Sequence, residues 1–198
     1  MTSTTVVLAR HGRTAWHHPT RYTGRSDVPL DEVGVTQATR LAEWAAGQPF
    51  AALACSQLVR ARQTAAAVAG LTPLVDPRLR ELDFGVAEGH TLAELRTDDA
   101  AMVARFEADP VAGHFPGGEP PGEAADRALA ALTDLAAAYP GQRILVVAHS
   151  TLIRLVVCAV LGVPLAEYRR KLPALDPAAT TTLRFPQPVG LLSYNVAR

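Results

Sequence analysis

The sequence predicts an α/β protein, a three-layer α/β/α sandwich on a mostly parallel sheet. Three observations predict it. Two short apolar runs rich in β-branched residues, Val6-Val7-Leu8-Ala9 and Ile144-Leu145-Val146-Val147-Ala148, each give way to a histidine-containing break and then to a helix-like segment. Strand-like and helix-like segments alternate along the chain, the pattern of a sheet covered on both faces. The length of 198 residues and 48% hydrophobic content suit a single domain over residues 1–198 with a packed core.

The elements follow in order. After the first strand comes an irregular loop, roughly residues 12–30, broken by Gly12, Pro19, Gly24 and Pro29. Residues 31–46 predict a helix with Asp31 as N-cap and Val35, Ala38, Leu41 and Ala45 as its apolar stripe. Residues 51–55 form a short strand. Ser56 is expected to cap the next helix, whose apolar face is Leu58, Ala61, Ala65 and Val68, with Gly70 as its stop. Residues 73–76 predict a short edge strand, and residues 91–108 one or two helices. A Pro/Gly loop over 109–122 leads into an alanine-rich helix from about Glu123 to Tyr139, ended by Pro140-Gly141. The strand to Ala148 and a helix from Ser150 follow. The tail holds two short strands, about 179–185 and 190–196, separated by Pro186 and Pro188. No internal repeat or linker divides the chain.

Composition excludes several classes. The net charge is +0, so nothing favours nucleic acid or an anionic membrane as partner. Lys171 is the lone lysine among 19 basic residues, which leaves 18 arginines, a bias that fits genome base composition better than chemistry. The apolar stretch from Ile144 to Leu161 is interrupted by His149, Ser150, Thr151 and Arg154, where a bilayer would penalise them most. Cys55 and Cys158 lack zinc spacing and sit in apolar runs, as buried free thiols do. The first strand begins within a few residues of Met1, so no signal peptide is expected and the expected location is cytoplasmic.

In an open α/β sheet, ligands bind beyond the carboxyl ends of the strands. Arg10 and His11 end the first strand and His149 ends the later one, so residues from opposite ends of the chain are expected at one crevice. Two such histidines could equally be hydrogen-bonded core groups. Arg60 stands in the first turn of a helix, where the macrodipole disfavours a cation by roughly 0.3–1 kcal/mol. It is either a solvated surface arginine or the holder of an anion at that helix end. His11, His17 and His18 do not present metal-ligand spacing, and Ser150 lacks a Gly-x-Ser-x-Gly elbow; it is expected to cap its helix.

Larger blocks sharpen the reading. Arg10-His11-Gly12-Arg13-Thr14, Ser56-Gln57-Leu58-Val59-Arg60-Ala61-Arg62-Gln63-Thr64-Ala65, Leu79-Arg80-Glu81-Leu82-Asp83-Phe84-Gly85 with Glu88-Gly89, Gly117-Gly118-Glu119, and Val146-Val147-Ala148-His149 with Ile153-Arg154 occur in this order. Together they resemble the signatures of branch 1 of the histidine phosphatase superfamily, the phosphoglycerate mutase-like group. The resemblance implies that fold, no cofactor and no metal, with a partial lid over about 85–121. It makes His11 the nucleophile, Glu81 the proton donor, and Arg10, Arg60 and His149 the holders of the phosphoryl oxygens. His17, Thr23, Gly24 and Ser150 are the further expected phosphate contacts.

Elementary chemistry agrees with those roles. Phosphoryl transfer needs positioning and charge stabilisation more than covalent chemistry, and arginine forks supply both. Two departures stand out: the family often has asparagine where His17 stands, and glycines where Ser150-Thr151 stand. The function expected is a metal-independent phosphomonoesterase acting on a small phosphorylated metabolite through a phosphohistidine. The alternatives are a phosphoglycerate mutase-type phosphomutase and a non-catalytic phospholigand-binding protein. His114 and Phe115 are expected near the organic part of the substrate. The oligomeric state is open, with a homodimer as one expectation.

Overall fold

The structure, a computed structural model, describes residues 3–186 and 188–198. Strands β1 (Thr4–Arg10), β2 (Phe50–Cys55), β3 (Leu74–Val75), β4 (Arg143–Ala148), β5 (Thr180–Phe185) and β6 (Gly190–Val196) form one sheet in the order β3-β2-β4-β1-β5-β6. The β3-β2-β4-β1 part is parallel, and β5 and β6 add on antiparallel. The edge strand expected over 73–76 shrinks to two residues. The helices are α1 (Glu32–Ala46), α2 (Val59–Ala66), α3 (Leu92–Asp98), α4 (Ala100–Ala108), α5 (Pro121–Ala138), α6 (Ser150–Leu161) and the short α7 (Tyr168–Lys171). The expected 91–108 helix is thus two, and α5 starts at Pro121, whose fixed φ and missing N–H suit a first helical position.

Alternation along the strands builds the three layers. Val7, Ala9, Leu53, Cys55, Leu145 and Val147 face one side and pack with Leu41, Ala45, Ala61 and Ala65 of α1 and α2. Val6, Leu8, Ala52, Ala54, Ile144 and Val146 face the other and pack with α5 and α6 through residues such as Ala128, Leu132, Leu152 and Val156. Burial on both faces explains why the central strands read as continuous apolar runs.

The sheet places the site. In β1 and β4, neighbours in register with Arg10 opposite Ala148, the chain turns to opposite faces after the last residue. The chain after β1 runs to α1, and that after β4 runs to α6. This is a topological switch point, where a crevice opens between diverging connections. His11 N–H donates to the carbonyl of Ala148 at 3.0 Å and anchors that crevice.

Four expectations need correction. Asp31 does cap α1, accepting from the Gly34 N–H at 2.8 Å, but Val35 is exposed and Gly34 occupies the buried face. The reason is close backbone approach: a Cβ on Gly34 would lie 2.0 Å from the Arg13 carbonyl oxygen. Ser56 is not the cap of α2, which starts later. Its Oγ accepts from Leu58 N–H, while the Val59 N–H donates to Asp27 Oδ1 at 2.6 Å. Ser150 is the first residue of α6 rather than its cap, as described below. Phe115 is 2% exposed and stacks on Phe106 at 4.2 Å, so it is core, and His114 is bound through Nδ1 near the Val111 carbonyl, away from both cavities described below.

Candidate active site

His11 is 5% exposed and His149 is fully buried, with their ring centroids 5.1 Å apart. The strand-end histidines therefore meet as expected. His11 Nδ1 lies 2.7 Å from the carbonyl oxygen of Gly12. A carbonyl only accepts, so Nδ1 carries the hydrogen and Nε2 keeps its lone pair. Burial, Arg60, His149 and Arg10 hold the His11 pKa well below 6.5. The ring is neutral at pH 7, the form in which an imidazole is a nucleophile. His149 is held low in the same way by burial, Arg60 and Arg10.

Arg60 is not a solvated surface cation. It is 0% exposed. Nη1 donates to the Ser26 carbonyl at 2.8 Å, and Nη2 to the carbonyls of Gly24 at 2.7 Å and Thr23 at 3.2 Å. The 23–26 loop is folded around this guanidinium. Glu88 holds the same loop by accepting from Arg25 N–H, Ser26 N–H and Phe84 N–H. Gly24 is required there, since a Cβ would sit 2.2 Å from both Glu88 Oε1 and the Leu82 carbonyl. On the other side of α2, Thr64 Oγ1 accepts from Gly12 N–H and donates to the Arg60 carbonyl, tying the loop after β1 to that helix.

Arg10 donates from Nη1 to the Leu175 carbonyl, and its Nη2 lies 2.6 Å from His17 Nε2. A guanidinium only donates, so His17 Nε2 accepts, while Nδ1 lies 3.1 Å from both the Thr14 backbone nitrogen and Thr14 Oγ1. Burial and Arg10 push His17 down to about 4, so it stays neutral. Arg10 itself is lowered by burial to about 10 and stays charged.

Glu81, 5% exposed, accepts from Thr151 N–H at 2.9 Å and from Leu152 N–H at 2.8 Å, and also from its neighbour's Leu82 N–H. Its carboxyl group thus caps α6, the task expected of Ser150. Arg127 braces this segment from α5: it donates to the carbonyls of Arg78, Arg80 and Glu81 and pairs bidentately with Glu119.

A cavity of about 160 Å³ opens onto this assembly. Among the expected residues, Arg10, His11, His17, Thr23, Glu81 and Ser150 line it. Arg60, His149 and Gly24 stand behind the wall. Four of its surrounding nitrogens, Arg10 Nε, Arg60 Nε and both ring nitrogens of His149, are buried without a protein hydrogen-bond partner among the described residues. Buried orphans are rare, and an oxyanion with several lone pairs is a ligand that would accept from the two arginine Nε–H groups and from the single N–H of a neutral His149. No group of three or more His, Cys, Asp or Glu side chains among the described residues is placed to hold a metal ion. Trp16, Tyr22, Phe84, Thr151 and Arg154 also line the cavity. Arg154 stands in a recognisable block, but nothing in the sequence marks Tyr22 as a wall residue.

The family model of the histidine phosphatase superfamily (branch 1) matches residues 6–193. The chain belongs to this family. Two curated relatives named probable phosphoglycerate mutase GpmB, from Proteus mirabilis and Cronobacter sakazakii, are 37% and 34% identical over 168 residues, which cover 83% of this chain and 78% of theirs. Among solved structures, YhfR of Bacillus stearothermophilus aligns with a TM-score of 0.91 at 29% identity over 98% of each chain. The mycobacterial glucosyl-3-phosphoglycerate phosphatase aligns with a TM-score of 0.88 at 28% identity, covering 98% of this chain and all of that one. Phosphoserine phosphatase from Entamoeba histolytica, solved with 3-phosphoglyceric acid, gives 0.85 at 26% identity over 98% of each chain. The histidine phosphatase core and the phosphoglycerate mutase-like α/β sandwich follow from these matches. No helix among the described residues is long and apolar enough to cross a membrane.

Proposed function

We propose that this histidine phosphatase superfamily member is a metal-independent phosphomonoesterase that works through a phosphohistidine on His11. One observation carries the reading. His11 is locked as a neutral ring with its Nε2 lone pair free, beside the buried Arg60, the half-buried Arg10 and a second neutral histidine. In the first step Nε2 forms a bond to phosphorus as the ester P–O bond breaks, and the departing oxygen takes a proton from Glu81. In the second step water attacks phosphorus, the N–P bond breaks, and Glu81 takes the proton back. Arg10, Arg60 and His149 supply positive charge and N–H donors to the equatorial oxygens, the contribution that dominates phosphoryl transfer. His17 is then a positioning residue: its neutral Nε2 accepts from Arg10 and fixes the fork, a task an asparagine side-chain oxygen could also perform.

A phosphomutase is the second reading, favoured by the names of the curated relatives. It differs in where the phosphoryl group goes after His11. The test is phosphate release from a panel of phosphomonoesters with EDTA present, for the wild type and His11→Ala. EDTA-resistant release lost in the variant is expected. Activity that appears only with a bisphosphorylated primer would favour the mutase, and release surviving in His11→Ala would remove the nucleophile.

A further inference from the structure

A second cavity, of about 400 Å³, continues outward from the first and shares Tyr22, Phe84, Thr151 and Arg154 with it. In a phosphomonoester bound at His11, this adjoining space is open to the leaving group.

The charge of this cavity is unbalanced. Three arginines line it, and no aspartate or glutamate does. Arg21 is neutralised by Glu94, to which it donates at 2.7 and 3.1 Å. Arg154 and Arg169 form no ion pair among the described residues. Arg154 reaches only the carbonyls of Ser150 and Leu172, both at 3.3 Å, and lies over the Tyr168 ring at 5.0 Å. Arg169 donates to the Tyr22 hydroxyl at 3.2 Å and lies over Phe106 at 4.7 Å. The nearby carboxylates are committed elsewhere: Glu107 to Arg96 at 2.6 Å, Glu81 to the start of α6. A guanidinium laid flat on an aromatic ring is held in place while its edge donors stay available, at little further entropic cost.

Resting on the phosphatase reading, we propose that Arg154 and Arg169 form a second anion subsite. The substrate is then a phosphomonoester whose leaving group carries a carboxylate or a further phosphate, with its body against Tyr22 and Phe84. The shared chemistry is a compact oxyanion that a bidentate fork can hold.

The test is the ratio of kcat/KM within matched pairs: 3-carboxyphenyl phosphate against phenyl phosphate, and glucose 1,6-bisphosphate against glucose 6-phosphate. The wild type is expected to favour the anionic member of at least one pair by tenfold or more, and the pair that responds identifies carboxylate or phosphate. Arg154→Gln and Arg169→Gln are each expected to lower that ratio at least fivefold, and Arg169→Lys to restore part of it. A ratio rests on two esters tested on one variant, so a change in folded fraction cancels. Ratios near one in the wild type, or ratios unmoved in both Gln variants, would overturn the subsite and leave the phosphatase reading standing. Hydrolysis of none of the four esters would overturn the phosphatase reading and the subsite with it.

Discussion

The phosphate end and the leaving-group end of the cavity are built in different ways. At the phosphate end, cations and imidazoles are fixed by backbone. Arg60 is gripped by three loop carbonyls, His11 by the Gly12 carbonyl, and Glu81 by the first N–H groups of α6. At the leaving-group end, the polar groups rest on side chains. Arg154 and Arg169 lie on aromatic rings, and Tyr22 packs against Phe84, Phe106 and Phe115. Backbone anchoring leaves little freedom for the reacting geometry, whereas side-chain packing can be altered one residue at a time. On the proposed reading, the reaction belongs to the first arrangement and the choice of substrate to the second.

If that division holds, Glu81→Gln separates the ends most sharply. Loss of the proton donor is expected to slow phosphoryl transfer from alkyl phosphates to His11 by about 10²–10⁴ and to spare that step for p-nitrophenyl phosphate, whose leaving group needs no proton, while hydrolysis of the phosphohistidine slows alike for both. Pre-steady-state rates of leaving-group release with both esters check this, and equal losses in that step would remove Glu81 from the leaving-group role. A packing change at the other end should cost stability before chemistry. Phe115→Ala removes a fully packed ring and is expected to lower unfolding free energy by about 3–5 kcal/mol, read from denaturant midpoints. Its folded fraction should keep most of its turnover number on small esters.

The smallest effect comes from pH. His11 and His149 are held well below 6.5 in the folded protein, whereas the unfolded chain binds protons near 6.5. Below that pH the unfolded state takes up more protons, so stability is complete above 6.5 and falls as the solution is acidified. Each ring is expected to contribute about 1 kcal/mol per pH unit in that range. Sulfate, which does not titrate there, should oppose the loss, because an anion in the crevice relieves the repulsion from Arg60 and Arg10 that adds to burial in keeping the rings neutral. Urea unfolding at pH 7.5, 6 and 5, with and without sulfate, measures this. A stability flat between 7.5 and 5 would contradict the electrostatic description of the site.

The same division explains what the sequence reveals. Arg10, His11 and His149 are legible because they follow apolar strands, and strand ends point to a site in this class of fold. Arg60 is ambiguous alone, since burial of a first-turn arginine depends on a loop folding around it; the block from Ser56 to Ala65 resolves it. The caps of α2 and α6 depart from the local pattern because carboxylates distant in sequence do the work. Asp27 serves α2 and Glu81 serves α6, and local patterning offers Ser56 and Ser150 instead. The leaving-group cavity is the least legible part. It depends on isolated bridges that join Arg21 to Thr91 and Tyr22 to Glu88, pairings that no periodicity marks. Phe115 illustrates the consequence: placed near the substrate by its loop, it proves to be the ring that supports Tyr22 from behind.

The most direct measurement is a rapid-quench trap of the phosphoenzyme during turnover of p-nitrophenyl phosphate, followed by peptide mapping. A phosphoryl group on the peptide containing His11, stable to alkali and lost in acid, is the predicted result. Turnover with no phosphoenzyme, or an acid-stable phosphoryl group on another residue such as Ser150, would contradict the central claim.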